Sequence, residues 1–139
     1  MASQLKVDTI TGVTTAGSIS VTGEGNSTTT NLQQGLVKAW ANVDGTGTPA
    51  LDDSFNCSGV ADRGTGEYTL SYVSSMNNTV YAIPFGGKNP SVSSNYGGLG
   101  IAEGADRLTT GNIPFRLFFG NGTFGDYNEL TVAIIGDLA

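Results

Sequence analysis

Three stretches of the chain alternate apolar and polar residues with a period of two: residues 67–72 (EYTLSY), 113–119 (IPFRLFF) and 129–135 (ELTVAII). Successive side chains of a β-strand point to opposite faces, so this period predicts strands with one face in a core. The predicted core rows are Tyr68, Leu70 and Tyr72; Ile113, Phe115, Leu117 and Phe119; and Leu130, Val132 and Ile134. None of these stretches has the spacing of an amphipathic helix.

The composition also favours strands and turns over helices. The chain has 21 Gly, and only 13% of its residues are charged, against about 25% in an ordinary globular protein. Most of the polar residues are Ser, Thr and Asn, which suit turns and strands, whereas the strong helix formers Lys, Glu and Arg are scarce. We therefore expect an all-β fold, an antiparallel β-sandwich that is either jelly-roll-like or a small barrel, with the strand order left open.

Further elements follow from local patterns. They are a helical turn at residues 31–35, a strand at 37–43, a loop at 44–49, a strand at 50–58, a turn-rich connection at 59–66 and an Asn-Gly turn at 121–122. Residues 80–85 are apolar on both sides, which predicts a strand in the middle of the packing, with Pro84 marking its end or a sheet edge.

The first 31 residues carry few large apolar side chains. Such a stretch buries too little surface to offset the loss of about 1–2 kcal/mol of backbone entropy per residue on ordering. Two short alternating pieces, residues 5–8 and 18–21, resemble strands that pair with another chain. We predict an extended N-terminal attachment arm at residues 1–31 and a β-sandwich module at 32–139; a loose polar terminus is the alternative.

Charge and hydropathy exclude several classes of partner. The net charge is −6 with only six Lys plus Arg, which leaves no cationic stripe for nucleic acid. No apolar run approaches the roughly 20 residues that cross a bilayer, and the start MASQLKVDTI lacks the apolar stretch of a secretory signal. We expect no membrane insertion and synthesis in the cytoplasm.

The residue types of catalytic and metal sites are scarce. The chain has no His and a single Cys, Cys57, which we interpret as a small buried hydrophobic residue. The carboxylates considered for a glycosidase-like pair are Asp52, Asp53, Asp62, Glu67, Asp106 and Asp126. Adjacent Asp52 and Asp53 point to opposite faces of a strand, and most of the others lie in predicted turns. We expect no enzymatic activity, no metal and no cofactor.

Three aromatic residues in predicted loops are candidates for facing a ligand: Tyr96, Phe124 and Tyr127. An exposed ring stacks on a sugar or fills a protein interface. The alternative is that each ring anchors its own loop to the core, which we favour for at least half of them.

Several segments resemble tail-fibre and related structural proteins of marine tailed bacteriophages. Toward the N-terminus these are residues 5–12 (LKVDTITG), 15–21 (TAGSISV), 23–26 (GEGN) and 30–40 (TNLQQGLVKAW). Further along they are residues 53–56 (DSFN), 62–70 (DRGTGEYTL) and 78–83 (NTVYAI), which are similar to a β module of those proteins. Together the segments cover somewhat more than half of the chain.

The resemblance implies a virion protein, made in the host bacterium, that forms a homo-oligomer, commonly a trimer, and attaches to the particle by its N-terminal segment. Because the chain ends soon after one β module, we expect a short fibre-like appendage or a capsid decoration protein, with capsid, neck or tail proteins as partners. The predicted assembly and attachment residues are Leu5, Val7, Ile10, Ile19, Val21, Leu32 and Trp40. We expect Trp40 to lie either in the core or in the contact between subunits.

Two other functions stay open at this point. The first is an adhesin module that binds a host receptor or surface glycan through Tyr96, Tyr127 and the loop at residues 86–111. The second, ranked last, is a depolymerase that uses a pair of the carboxylates.

Overall fold

The computed structural model describes residues 4–12, 19–23, 29–88, 98–101 and 108–138. The chain divides into two units, Met1–Leu36 and Val37–Ala139. The predicted boundary after residue 31 lies a few residues before this division. Within the described part of the chain, no helix has both the length and the hydropathy needed to cross a lipid bilayer.

The first unit contains a small antiparallel hairpin. Strand β1 (Ser20–Thr22) pairs with β2 (Thr29–Asn31), and Val21 lies opposite Thr30. One helical turn, α1 (Leu32–Gly35), follows, and the backbone N–H of Gln34 donates to the side-chain oxygen of Asn31 at 3.0 Å. Asn31 therefore caps the turn, as Asn does at helix N-termini, and the predicted helical turn at residues 31–35 is confirmed.

Residues 4–12 form neither a helix nor a strand, and all of them are exposed. The piece at residues 5–8 thus has no strand partner among the residues that the structure describes, and its pairing with another chain stays a prediction. By contrast, the predicted piece at residues 18–21 overlaps β1, which pairs with β2 of the same chain.

The second unit is a β-sandwich of two four-stranded sheets. Its strands are β3 (Val37–Asp44), β4 (Ala50–Phe55), β5 (Cys57–Gly64), β6 (Glu67–Tyr72), β7 (Phe85–Lys88), β8 (Gly98–Ile101), β9 (Asn112–Phe118) and β10 (Glu129–Ile135). Sheet I has the order β4-β3-β10-β7 and sheet II the order β5-β6-β9-β8. All neighbouring strands are antiparallel. The predicted all-β antiparallel sandwich is confirmed.

The core lies between the two sheets and contains the three rows that the alternation predicts. From these rows, Tyr68, Leu70, Tyr72, Ile113, Phe115, Leu117, Leu130, Val132 and Ile134 are buried. Phe119, at the end of its row, is partly buried against the same cluster. Strand β3 adds Ala39, Ala41 and Val43 from the opposite sheet to Tyr68.

The predicted turn-rich connection at residues 59–66 is wrong, because most of it belongs to strand β5. The crossing from sheet I to sheet II happens earlier, at Asn56, whose φ of 56° lies in the left-handed region. The Asn56 amide holds this crossing by donating to the carbonyl oxygens of Lys38 and Ser74 and accepting from the Ser74 N–H. The glycines of β5 accompany shifts in its register with β6 rather than turns.

The predicted position of residues 80–85 in the middle of the packing is also wrong. Val80 is 85% exposed, and the segment leads into β7, the edge strand of sheet I. Ala82 exchanges backbone hydrogen bonds with Ile135, and the Pro84 carbonyl accepts from Ala133 N–H at 2.9 Å. Pro84 therefore stands at a sheet edge, one of its two predicted positions, where its missing N–H is tolerated.

Candidate interaction surface

Trp40 lies on the outer face of sheet I. The alternation of β3 sends Ala39, Ala41 and Val43 into the core, so Trp40 points the other way and is 38% exposed. Of the two predicted positions for Trp40, the core is wrong. The physical reason is the period of two, which fixes Trp40 on the opposite face from the small residues that fit between the sheets.

Neighbouring strands place further apolar groups beside Trp40. It pairs with Phe55 of β4 on one side and with Ala133 of β10 on the other, and the Phe55 side chain is 53% exposed. Across β3, β10 and the edge segment that leads into β7 runs an open groove of about 520 Å³. Its lining includes Trp40, Asn42, Phe85, Thr131 and Ala133. We refer to it as the Trp40 groove.

The lining of the Trp40 groove contains no ionisable side chain. Charged residues lie beside this lining on the same face of sheet I, because Asp53 is the strand partner of Asn42 and Glu129 lies two residues before Thr131 on β10. The outer face of sheet II is also charged, since Glu67 and Arg116 form a salt bridge of 2.7 Å across β6 and β9. The two large rings Trp40 and Phe55 thus form an exposed apolar patch next to charged residues.

A polar atom within the groove has no partner. Asn42 lies between Asp53 of β4 and Thr131 of β10 in the strand register. Its side-chain oxygen Oδ1 is buried and accepts no hydrogen bond from any residue that the structure describes. Leaving a buried acceptor unsatisfied costs about 1–3 kcal/mol, and because this oxygen is buried within the sandwich, an occupant of the groove does not reach it.

The predicted attachment residues of the first unit are mostly exposed. Leu5 is 81% exposed, Val7 53%, Ile10 55% and Val21 51%. Ile19 and Leu32 are half-buried, and the Leu32 N–H donates to the Ile19 carbonyl at 2.9 Å, which closes the hairpin beyond β1 and β2. The first four side chains are therefore available to a partner, whereas Ile19 and Leu32 already take part in the local fold.

The structure describes two of the three aromatic ligand candidates, Phe124 and Tyr127. Tyr96 lies outside the described residues. Phe124 is 47% exposed, and the Arg116 guanidinium lies 5.8 Å from its ring centroid. Tyr127 is buried, stacks on Phe119 at 5.8 Å and donates to the Phe118 carbonyl at 3.2 Å. The prediction that Tyr127 faces a ligand is wrong, because its ring anchors its loop to the core, the alternative stated for it above.

Three of the candidate carboxylates, Asp53, Asp62 and Asp126, accept hydrogen bonds that hold local structure. Asp53 accepts from the Ser54 N–H, and Asp62 from the Gly64 N–H. Asp126 accepts from both the Tyr68 hydroxyl and the Gly66 N–H. Asp106 lies outside the described residues. Over the described segments, no three His, Cys, Asp or Glu side chains are grouped to hold a metal ion.

Cys57 is partly buried at the start of β5 and packs against the core. Its sulfur lies 3.4 Å from the carbonyl oxygens of Trp40 and Phe55. Burial raises the pKa of the Cys57 thiol, since it disfavours the thiolate. The side chain thus resembles the small hydrophobic residue that we predicted, although it is less deeply buried.

No protein-family model, curated protein or solved structure matches this chain.

Sequence reasoning missed the groove residues Asn42, Phe85, Thr131 and Ala133. The alternation of β3 and β10 indicates that Asn42 and Thr131 share the face opposite the core. Their proximity depends on the pairing of β3 with β10, the first and last strands of the sandwich, which no local pattern specifies.

Proposed function

We propose that this chain is a non-enzymatic structural protein of a tailed bacteriophage particle, a short fibre-like appendage or decoration protein that assembles with copies of itself. Its N-terminal segment attaches it to a capsid, neck or tail protein. The observation that carries this proposal is the exposure of Leu5, Val7, Ile10 and Val21 in the free chain.

Exposed apolar side chains concentrated in one segment favour a role in binding. The strands β1 and β2 and the turn α1 contain no buried residue, so this unit gains little from packing on itself. A partner that covers these side chains supplies the hydrophobic free energy that the segment lacks. Residues 4–12 are free of sheet hydrogen bonds and can add a strand to the edge of another protein.

Self-assembly as a homotrimer is the second part of the proposal. It is supported by the resemblance of residues 53–56 and 62–70 to a module of phage appendages, and by the exposed rings of Trp40 and Phe55 on the outer face of sheet I. In this arrangement the sandwich forms the oligomer and the N-terminal segment holds it on the virion.

Incorporation into particles tests the attachment. A chain without residues 1–31 is expected to remain soluble with an intact sandwich, and to be missing from particles purified after complementation of a deletion phage. Replacing Leu5, Val7 and Ile10 together by Ser should give the same loss. Replacing Gln4, Thr9 and Thr11 by Ser is the matched control in the same segment and should leave incorporation unchanged. Particles that retain the truncated chain would contradict the proposal.

A glycan-binding adhesin is the second candidate. It is favoured by the exposed ring of Phe124, since exposed aromatic rings stack on sugars. Binding to a glycan array that falls on Phe124→Ala or Tyr96→Ala would support this function. An array without signal from the assembled protein would favour the structural role alone.

A further inference from the structure

We propose that the exposed ring of Phe124 and the ion pair of Glu67 and Arg116 form a binding site for a neutral saccharide on the outer face of sheet II. We refer to these three residues as the Phe124 cluster. The site deepens the second candidate function, glycan binding, on which it rests, by specifying the residues and the class of sugar. It does not depend on attachment of the N-terminal segment to a particle.

The three side chains of the Phe124 cluster meet on one surface. Glu67 of β6 lies opposite Arg116 of β9, and the Arg116 nitrogen Nε lies 2.7 Å from the Glu67 oxygen Oε1. Their chain neighbours Tyr68 and Phe115 are buried, so the period of two turns both charged side chains away from the core. The Arg116 carbon Cζ lies 5.8 Å from the centroid of the Phe124 ring.

All three side chains are accessible to a ligand. Phe124 is 47% exposed, and the side chains of Arg116 and Glu67 are 35% and 28% exposed. The cleft beside the ion pair has a volume of only about 10 Å³, which is room for about one water molecule. A ligand therefore lies on the surface, across the ring and the ion pair, which suits an extended chain of sugars better than a compact cofactor.

The Phe124 cluster offers the two kinds of contact that a sugar makes. The apolar C–H face of a hexose packs on an aromatic ring. Sugar hydroxyls both donate and accept hydrogen bonds, and the Glu67 carboxylate accepts while the Arg116 guanidinium donates. A guanidinium has five N–H donors, of which the contact of 2.7 Å engages one. Neighbouring hydroxyls of one sugar can therefore bind both members of the ion pair.

Charge favours a neutral sugar over an acidic one. The charged residues at this place are three carboxylates and two guanidinium groups, Asp62, Glu67, Asp126, Arg63 and Arg116. No positive charge is in excess here, and the whole chain carries a net charge of −6. A sugar with a carboxylate is repelled by such a surface, whereas a neutral hexose is not.

The loop that carries Phe124 is held in place before a ligand arrives. The Phe119 N–H donates to the Thr123 carbonyl and the Gly122 N–H to the Phe119 carbonyl, each at 2.8 Å. The Asn121 side-chain oxygen accepts from both the N–H and the hydroxyl of Thr123. A ring on such a loop loses little conformational freedom on binding, which favours affinity.

Nuclear magnetic resonance titration of the full-length protein tests the site. The probes are maltotetraose, cellotetraose and mannotetraose, and we expect at least one of them to bind with a millimolar dissociation constant and to shift the amide signals of residues 120–125. Phe124→Ala should raise that dissociation constant about tenfold or more, the effect of losing about one aromatic contact. Phe55→Ala is the matched control, because it removes a ring that is 53% exposed from the other sheet, and it should leave binding unchanged.

A second variant separates binding from a structural role of the ring. Arg116→Lys keeps the positive charge next to Phe124 but removes the planar set of donors, and it should weaken binding severalfold. Circular dichroism and thermal unfolding confirm that both variants are folded. A ring that only anchors its own loop would change the melting temperature on Phe124→Ala and leave sugar binding as it was.

The following outcomes would overturn the inference. They are the absence of signal shifts with all three neutral sugars, binding that is unchanged in folded Phe124→Ala, and an equal loss of binding in Phe55→Ala. Tighter binding of tetragalacturonate than of the neutral sugars would assign the site to an acidic saccharide instead. Particle incorporation of the arm variants is measured separately, so it decides virion attachment whichever way the titration ends.

Discussion

The phenol of Tyr68 donates a hydrogen bond of 2.5 Å to Asp126, a residue 58 positions further along the chain. The same carboxylate oxygen accepts from the Gly66 N–H at 2.6 Å, and the phenol oxygen also lies 2.8 Å from the Gly45 carbonyl oxygen. Three loops, which follow β3, β5 and β9, are therefore tied together at one end of the sandwich around a buried tyrosine.

Removing the Tyr68 hydroxyl should destabilise the fold. Tyr68→Phe leaves the ring in place but deprives Asp126 of a donor, and we expect the free energy of unfolding to fall by about 1–3 kcal/mol, the range for a buried hydrogen bond to a charged group. Urea denaturation followed by circular dichroism measures the change. Tyr72→Phe is the control, because its phenol oxygen lies 3.5 Å from that of Tyr81, at the limit of a hydrogen bond. Equal losses in the two variants would contradict the assigned role of Asp126.

Alkaline pH should weaken the protein through its buried tyrosines. Burial raises the pKa of Tyr68 and of Tyr72 well above the ordinary value of about 10, with the hydrogen bonds to Asp126 and to Tyr81 as the next causes. The unfolded chain therefore loses these protons at a lower pH than the native state. Stability should be unaffected by these groups below pH 10 and should decline as the pH rises above about 10.

Urea midpoints measured from pH 8 to pH 11.5 test this pH dependence. The double variant Tyr68→Phe, Tyr72→Phe is expected to be less stable at pH 8 and to show a shallower decline above pH 10. A wild-type midpoint that stays constant to pH 11.5 would mean that the two phenols are not protected from ionisation in the native state.

Gly66 should be far less tolerant of a side chain than Gly47. Both have positive φ, at 67° and 66°, so an L-residue at either position is strained by about 1–2 kcal/mol. A Cβ at Gly66 would also lie 2.6 Å from the Leu117 carbonyl oxygen and 2.7 Å from the Gly125 nitrogen, whereas nothing lies within 4 Å at Gly47. Thermal unfolding of the two variants separates the backbone strain from the clash. Gly66→Ala should lower the melting temperature clearly more than Gly47→Ala, and similar melting temperatures would contradict the predicted clash.

Trypsin should distinguish the N-terminal segment from the sandwich. Lys6 lies among exposed residues outside any strand, whereas Lys38 in β3 is only 4% exposed. Brief digestion of the free protein is expected to cleave after Lys6 and not after Lys38, because proteases need an exposed and deformable backbone. Mass spectrometry identifies the fragments. In particles the Lys6 site should become protected, and unchanged cleavage there would count against docking of this segment.

Local patterns predicted the core of the sandwich because the period of two is a property of single strands. The rows at Tyr68, Ile113 and Leu130 are buried as expected, and the helical turn at Asn31 and the turn at Asn121-Gly122 occur where their residues indicated them. The wrong predictions concern segments whose structure depends on their place in a sheet and not on their own residue pattern. Residues 80–85 are apolar but lie at the edge of sheet I, and the glycines near residue 59 accompany irregular strand pairing instead of turns.

The amino-acid sequence alone determined that this protein is built of strands, which side of each regular strand faces the core, and that its N-terminal segment carries too few large apolar residues to pack on itself. Only the tertiary structure decided that β3 lies beside β10, that Trp40 therefore shares a groove with Asn42 and Thr131, and that Tyr127 is buried. The reason is physical: the orientation of a side chain along a strand depends on neighbours one or two residues away, whereas strand order depends on contacts between residues nearly a hundred positions apart.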